Sequence, residues 1–209
     1  MTAVFLDLDG TLMDSRPGII ASLTAAFHEI GRADLTENDM TWMIGPSFAE
    51  TFPKMGIAEP DHAIEAYRRH YDAGGMFDAQ VFDGILDMLT RLTTDGYRLY
   101  LATAKPITPA KKITKHFGIA PSMLAEFGPE LDGTLNFKGD LLAHALEVTG
   151  EDPKNAIMVG DRHHDIHAAA HVGMSSVAVK WGYGSQEEWS DATHSIDRPS
   201  DLHDLLSNL

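Results

Sequence analysis

Apolar residues gather in short runs separated by longer, periodic stretches. Thr2–Leu6 is a compact run with β-branched and aromatic members, closed by Asp7 and the turn-forming pair Asp9-Gly10. Such a run reads as a buried strand. Tyr97–Thr103 is similar and ends at Ala104-Lys105-Pro106; Ala156–Val159 ends at Gly160-Asp161; Ser176–Val179 ends shortly before Gly182. A weaker run lies at Thr193–Ile196.

Helical periodicity fills the gaps. Asp83 is placed to cap a helix over Gly84–Asp95, with Ile85, Leu86, Leu89 and Leu92 as its apolar face and Gly96 as its stop. Lys138–Val148 carries Leu141, Leu142, Ala145 and Leu146 at helical spacing, and Arg162–Val172 stops at Gly173. Strands and helices in this alternation predict βαβ units, hence an α/β fold with a doubly wound, Rossmann-like parallel sheet.

Residues 15–80 break the alternation. Ser15 and Pro17 open a helix reaching about Ile30, and Gly31 ends it. Thr36 stands where an N-cap should, with Asp39 three positions on. Ser47–Met55 and Pro60–Asp72 are further helical stretches. The expectation is a discontinuous core of residues 1–14 and 81–209 interrupted by an all-helical cap domain at 15–80. Linkers near Asp14–Arg16 and Gly74–Val81 would let that insert move as a lid.

Composition narrows the chemistry. The 209 residues hold 31 acidic and 16 basic side chains, a net charge of −15. That balance argues against a nucleic-acid partner, which requires clustered positive charge. The absence of cysteine removes disulfides and thiolate metal sites. No uncharged apolar run approaches the length of a membrane span, and no basic, signal-like segment precedes Asp7. The expectation is a cytoplasmic protein without membrane or nucleic-acid partners.

Ligands of parallel sheets bind beyond the carboxyl ends of the strands. By that rule Asp7 and Asp9 after the first strand, Thr103 at the end of the second, and Asp161 and Asp165 after the third share one edge. Each aspartate alone reads equally as a turn former or helix cap. Together they would repel one another by about 4 kcal/mol per close pair at intermediate dielectric. A divalent cation with a preference for oxygen, such as Mg²⁺, relieves that repulsion. A carboxylate so held can attack phosphorus, and its neighbour two residues on can shuttle the proton. Thr103 offers a hydroxyl to the phosphoryl oxygens, and Lys138 or Lys105 a positive charge.

The run Asp7-Leu8-Asp9-Gly10-Thr11, with Thr103, Lys138 and Gly160-Asp161-Arg162-His163-His164-Asp165, resembles the four motifs of the haloacid dehalogenase superfamily in their order. The stretches DSRPGI, IGPSFAETF, ATAKP and GYGSQEE resemble its phosphoglycolate-phosphatase-like members. The resemblance implies a Mg²⁺-dependent phosphatase acting on a small phosphorylated metabolite. It implies Asp7 as nucleophile and Asp9 as general acid/base. The Asp7 carboxylate, the Asp9 backbone carbonyl and Asp161 would hold the metal, supported by Asp165. Thr103, the Ala104 amide and Lys138 would grip the phosphate, Lys138 being preferred to Lys105. An acid at Asp9 counts against the dehalogenases, whose reaction releases no alcohol. A phosphomutase of the same superfamily and a receiver-like phospho-acceptor module are the alternatives.

Other features have two readings each. The stretch Gly96–Ala125 contains no acid but holds Arg98, Lys105, Lys111, Lys112 and Lys115, either a steering field or a solvated helix face. His163, His167 and His171, with His164 alongside, have a spacing that could hold zinc or simply decorate a helix. Trp181-Gly182-Tyr183-Gly184 is a turn or a loop bordering the cap. Arg68, Arg69 and the Phe48/Phe52 pair are candidates for substrate contact or for packing.

Overall fold

Every residue of the first strand, Ala3–Leu6, is completely buried, which requires cover on both of its faces. A computed structural model describes residues 2–209 and supplies that cover. In chain order the elements are β1 (Ala3–Leu6), β2 (Met13–Asp14), α1 (Arg16–Glu29), α2 (Phe48–Lys54), α3 (Pro60–Ala73), β3 (Gln80–Val81) and α4 (Ile85–Thr94). There follow β4 (Arg98–Ala102), α5 (Ile107–His116), β5 (Ala125–Phe127), α6 (Lys138–Thr149) and β6 (Ala156–Gly160). The chain closes with α7 (His163–His171), β7 (Ser175–Val179), β8 (His194–Ile196) and α8 (Asp201–Ser207).

Six strands form one sheet in the order β5-β4-β1-β6-β7-β8, and every pairing is parallel. This is the α/β, doubly wound core that the alternation predicts. Ala3, Phe5, Tyr100, Ala102, Ala156 and Met158 face α6 and α7, packing on Leu142, Ala145, Ala168 and Ala169. The Phe5 and Tyr100 rings stack 4.9 Å apart within that layer. The intervening residues Val4, Leu6, Leu99 and Leu101 are also fully buried and, by strand alternation, point to the opposite face. There α4 lies against β4 and α8 against α4.

The chain divides into two compact units, residues 1–13 with 81–209 and residues 14–80, and it crosses between them where β2 and β3 pair. The second unit contains three α-helices, with α1 against α3. Its core is aromatic: Phe52 lies 5.0 Å from Phe48 and 5.6 Å from Phe27, and Tyr67 meets Phe48 edge-on at 4.7 Å. The Phe48/Phe52 pair is therefore packing. No helix among the described residues is long and apolar enough to cross a membrane.

Local expectations fail where the capping signal is weak. Thr36 starts no helix; it closes the 3-10 turn Ala33–Thr36, its hydroxyl donating to the Ala33 carbonyl. Asp83 is not the cap of α4, because Gly84, at φ +84°, takes that position. The strand Ala125–Phe127 is too short and half-buried to announce itself in the sequence. In α4 the buried face is Ile85, Met88, Leu89 and Leu92, and Leu86 is 44% exposed, since one residue turns a helix by about 100°.

That difference gives a direct test. Leu89→Ala should cost about 2–5 kcal/mol through lost burial and a residual cavity. Leu86→Ala should stay within about 0.5 kcal/mol, as exposed substitutions do. Urea unfolding of the two variants measures both.

Candidate active site

Register places the site residues side by side. Leu6 is level with Leu101 on one neighbour and Val159 on the other. Asp7, Thr103 and Asp161 therefore leave adjacent strands within about one residue of the same line. The Asp7 amide still donates to the Val159 carbonyl at 3.0 Å, so the strand geometry holds its backbone. Beyond it the chain folds back on itself: the amides of Thr11, Leu12 and Met13 all donate to the Leu8 carbonyl. Gly10 sits in this turn at φ +85°, and a Cβ there would lie 2.2 Å from Asp161 Oδ2.

Asp7, Asp161 and Asp165 each offer a carboxylate oxygen within 4.8 Å of the others, and all are buried. Asp165 approaches because position 160 is glycine; a Cβ there would fall 2.0 Å from the Asp165 carboxyl carbon. Its other anchor is the Arg162 amide, which donates to Asp165 Oδ2 at 3.1 Å. Lys138, the first residue of α6, enters between two of the carboxylates. Its Nζ lies 2.8 Å from Asp7 Oδ1 and also contacts Asp165 Oδ1.

Charge is unbalanced in this space. Burial, opposed by Lys138 and reinforced by Asp165, pushes the Asp7 carboxyl up to about 6. Burial, then the charges of Asp165 and Asp7, holds Asp161 well above the ordinary carboxylate range. Lys138 moves the other way: burial opposes its charge, but Asp165 and Asp7 outweigh it and raise its pKa. The ammonium is shared between Asp7 Oδ1 and Asp165 Oδ1, both buried. Three converging buried carboxylates against one ammonium leave excess negative charge, which fits a hard divalent cation.

The remaining candidates divide. Asp9 does not join the carboxylate cluster, so three acids converge rather than four. Its Oδ2 lies 3.0 Å from Lys105 Nζ, with both side chains largely buried. Lys105 is thus no solvated charge. Thr103 is buried, and its Oγ1 accepts the Lys105 amide at 3.2 Å, while Ala104 is half-buried beside it. Lys111, Lys112 and Lys115 lie on the exposed face of α5. Arg69 is engaged by Glu29 and Glu65.

The His163 ring lies 3.8 Å from His164 and 5.5 Å from His167, yet among the described residues no three of the histidines bring ligand atoms close enough together to hold zinc. His163 Nδ1 is 3.3 Å from Glu188, His167 Nε2 is 4.0 Å from Asp191, and His171 meets Phe137 edge-on. His164, pushed down to about 4 by burial and by His163, stays neutral. Among the described residues, the aspartate triad is the cluster able to hold a metal.

Glu188 and Trp189 are functional-site contacts that carry no individual signal in the sequence. Glu188 accepts from Arg162 Nε at 2.7 Å and from the His163 amide at 3.2 Å, and the Trp189 indole N–H donates to the Asp161 carbonyl at 2.7 Å. Their partners lie more than twenty positions away, beyond the reach of local pattern. The nearby glycines Gly182 and Gly184 were the available signal.

The profile of the haloacid dehalogenase-like hydrolases matches residues 4–179. The chain belongs to this family. The family generally uses a divalent metal, and membership removes the receiver-like alternative. Tyrosine-protein kinase PtkA of Mycobacterium tuberculosis is 44% identical over 183 residues, 87% of this chain and 62% of the relative. The chain thus spans less than two thirds of that kinase. A 5'-nucleotidase of Pseudomonas aeruginosa is 35% identical over 188 residues, covering 88% of this chain and 85% of the relative. The crystal structure of a predicted phosphatase from Clostridium acetobutylicum superposes with a TM-score of 0.93 at 33% identity, covering 100% of this chain and 99% of the other.

Two measurements follow from the electrostatics. Because the folded pKa of Asp7 lies above its ordinary 3.8, ionising it costs the folded state stability as pH rises toward about 6. In EDTA, the Tm of Asp7→Asn minus that of wild type should grow from about pH 4 to about pH 6 and then level off. A flat difference would remove the buried-charge account. Saturating Mg²⁺ at pH 7 should raise the wild-type Tm by roughly 5–10 °C, as expected for a ligand at about 100 times its Kd. That rise should shrink below pH 5, where protons occupy the cluster.

Proposed function

We propose that the protein is a Mg²⁺-dependent phosphatase that hydrolyses a small organic phosphate monoester through an aspartyl-phosphate at Asp7. The buried Asp7–Asp161–Asp165 cluster with Lys138, at the carboxyl edge of the sheet, is the observation that carries this reading. Family membership supports it, as does the hydrolytic activity in the name of the nucleotidase relative.

Asp7 attacks the phosphorus atom, forming the Asp7–O–P bond as the bond to the leaving oxygen breaks. Asp9 gives its proton to that oxygen, releasing the alcohol. Asp9 then takes a proton from water, which attacks the aspartyl-phosphate and releases inorganic phosphate, restoring both carboxyl groups. Thr103 Oγ1 and the Ala104 amide donate to the phosphoryl oxygens, and the Lys138 ammonium offsets their charge. Asp7 and Asp161, with the Asp9 backbone carbonyl, would hold Mg²⁺, and Asp165 would support them. The bound ion supplies charge stabilisation at the phosphoryl group and keeps Asp7 ionised. The Lys105–Asp9 pair orients the acid/base.

The helical unit of residues 14–80 serves as the cap. Its insertion through two chain crossings at the β2–β3 ribbon suits a mobile lid. Substrate choice then rests on that unit. Phosphoglycolate is the leading substrate on the resemblance of the DSRPGI, IGPSFAETF, ATAKP and GYGSQEE stretches.

The experiment is phosphate release with Mg²⁺ over a panel of phosphoglycolate, nucleoside 5'-monophosphates, sugar phosphates, pyrophosphate and an aryl phosphate. Multiple turnover is expected, abolished by Asp7→Asn and by EDTA. Asp9→Asn should lower kcat by roughly 10²–10⁴-fold, the usual contribution of a general acid. Retained turnover in Asp7→Asn would refute the nucleophile, and retained turnover in EDTA the metal. An isomeric sugar phosphate in place of inorganic phosphate would make the protein a mutase. Phosphate passing from ATP to a tyrosyl peptide would favour the activity in the name of the mycobacterial relative.

A further inference from the structure

The segment after β7 is attached to the acidic cluster at several points. The Tyr183 amide donates to Asp161 Oδ2 at 2.6 Å, and the Trp189 indole N–H donates to the Asp161 backbone carbonyl at 2.7 Å. The Trp181 indole N–H reaches the Thr11 carbonyl at 3.0 Å, in the turn that follows Asp7. Glu188 takes the Arg162 guanidinium and the His163 amide, while the Arg162 amide itself holds Asp165.

Close approach makes these contacts possible. A Cβ at Gly182 would lie 2.3 Å from the Gly10 carbonyl oxygen and 2.4 Å from the Asp161 Cβ. A Cβ at Gly184 would lie 1.9 Å from the Asp161 carbonyl oxygen and 2.6 Å from the Trp189 indole nitrogen. Glycine at both positions lets backbone press directly against Asp161. A solvated turn has no need of such contacts, and the half-buried indole donor is spent on the backbone of a single aspartate.

We propose that the Trp181–Trp189 segment is a clamp that positions Asp161 for metal binding, with Trp189 as its principal positioning residue. The proposal rests on Asp161 being a metal ligand. Three carboxylates that repel one another will drift apart unless their backbones are held. The Trp189 bond fixes the Asp161 carbonyl, the Tyr183 bond fixes the orientation of its carboxylate, and Glu188 fixes the first turn of α7 that carries Asp165. Partners of this kind set the orientation of metal ligands, and their loss typically weakens metal affinity by 10–100-fold.

The test uses Mg²⁺ alone with the full chain, titrated by calorimetry. Wild type is expected to bind with heat that EDTA abolishes. Trp189→Phe, which keeps an aromatic ring but removes the donor, should raise the Mg²⁺ Kd by roughly 10-fold or more. Its Tm in EDTA should stay within a few degrees of wild type, and excess Mg²⁺ should recover the lost phosphatase activity. In a Trp42→Phe background, emission from Trp181 and Trp189 should change on adding Mg²⁺, because both indoles bond to the site. An unchanged Kd in Trp189→Phe overturns the clamp while leaving the metal reading intact. No binding heat in wild type overturns the metal reading and the clamp with it. Should Trp189→Phe lose its fold, Glu188→Gln decides: a weaker Mg²⁺ affinity at a near-native Tm supports the clamp, and an unchanged affinity refutes it.

Discussion

The centre of this molecule is an electrostatic conflict placed where water cannot relieve it. Asp7, Asp161 and Asp165 crowd one buried space at the edge of the sheet, and the Lys138 ammonium is the cation set among them. Burial and mutual repulsion hold two of the carboxyl groups above their ordinary range. Such a cluster is poised for a divalent ion and costly without one. Much of the surrounding structure keeps these charges from moving apart.

The parallel sheet performs most of that work. Its central strand is covered on both faces, so β1 cannot shift without exposing apolar surface, and its register with β4 and β6 aligns Asp7 with Thr103 and Asp161. Glycines at 10 and 160 remove the side chains that would keep the carboxylates from closing on one another. The segment around Trp189 then holds Asp161 from the far side. Rigidity here comes from backbone hydrogen bonds and packing, which suits a site that must stay assembled while its charge changes.

Lys105 and Lys138 show how one residue type separates by environment. Both are buried lysines facing aspartates: Lys138 bridges two members of the triad, and Lys105 lies against Asp9. Asp9 is thereby set apart from the acids that gather around the metal position. The acid/base role proposed for Asp9 would benefit from such a separate partner.

The sequence alone determined the fold class, the positions of the main strands along the chain and the edge at which the chemistry lies. Those depend on apolar periodicity and on turn residues, which act over a few neighbouring positions. Asp7, Thr103 and Asp161 were legible for the same reason, since each stands at the end of a recognisable run, whereas Lys138 and Asp165 were marked by the resemblance to the family motifs. Tertiary structure decided which carboxylates meet, that Asp9 turns to Lys105, that the described histidines gather into no metal-ligand cluster, and that Glu188 and Trp189 reach the site. These outcomes depend on side chains far apart in the chain but within about 3 Å in space. Only the packed sheet and the loops crossing its edge can set distances of that kind.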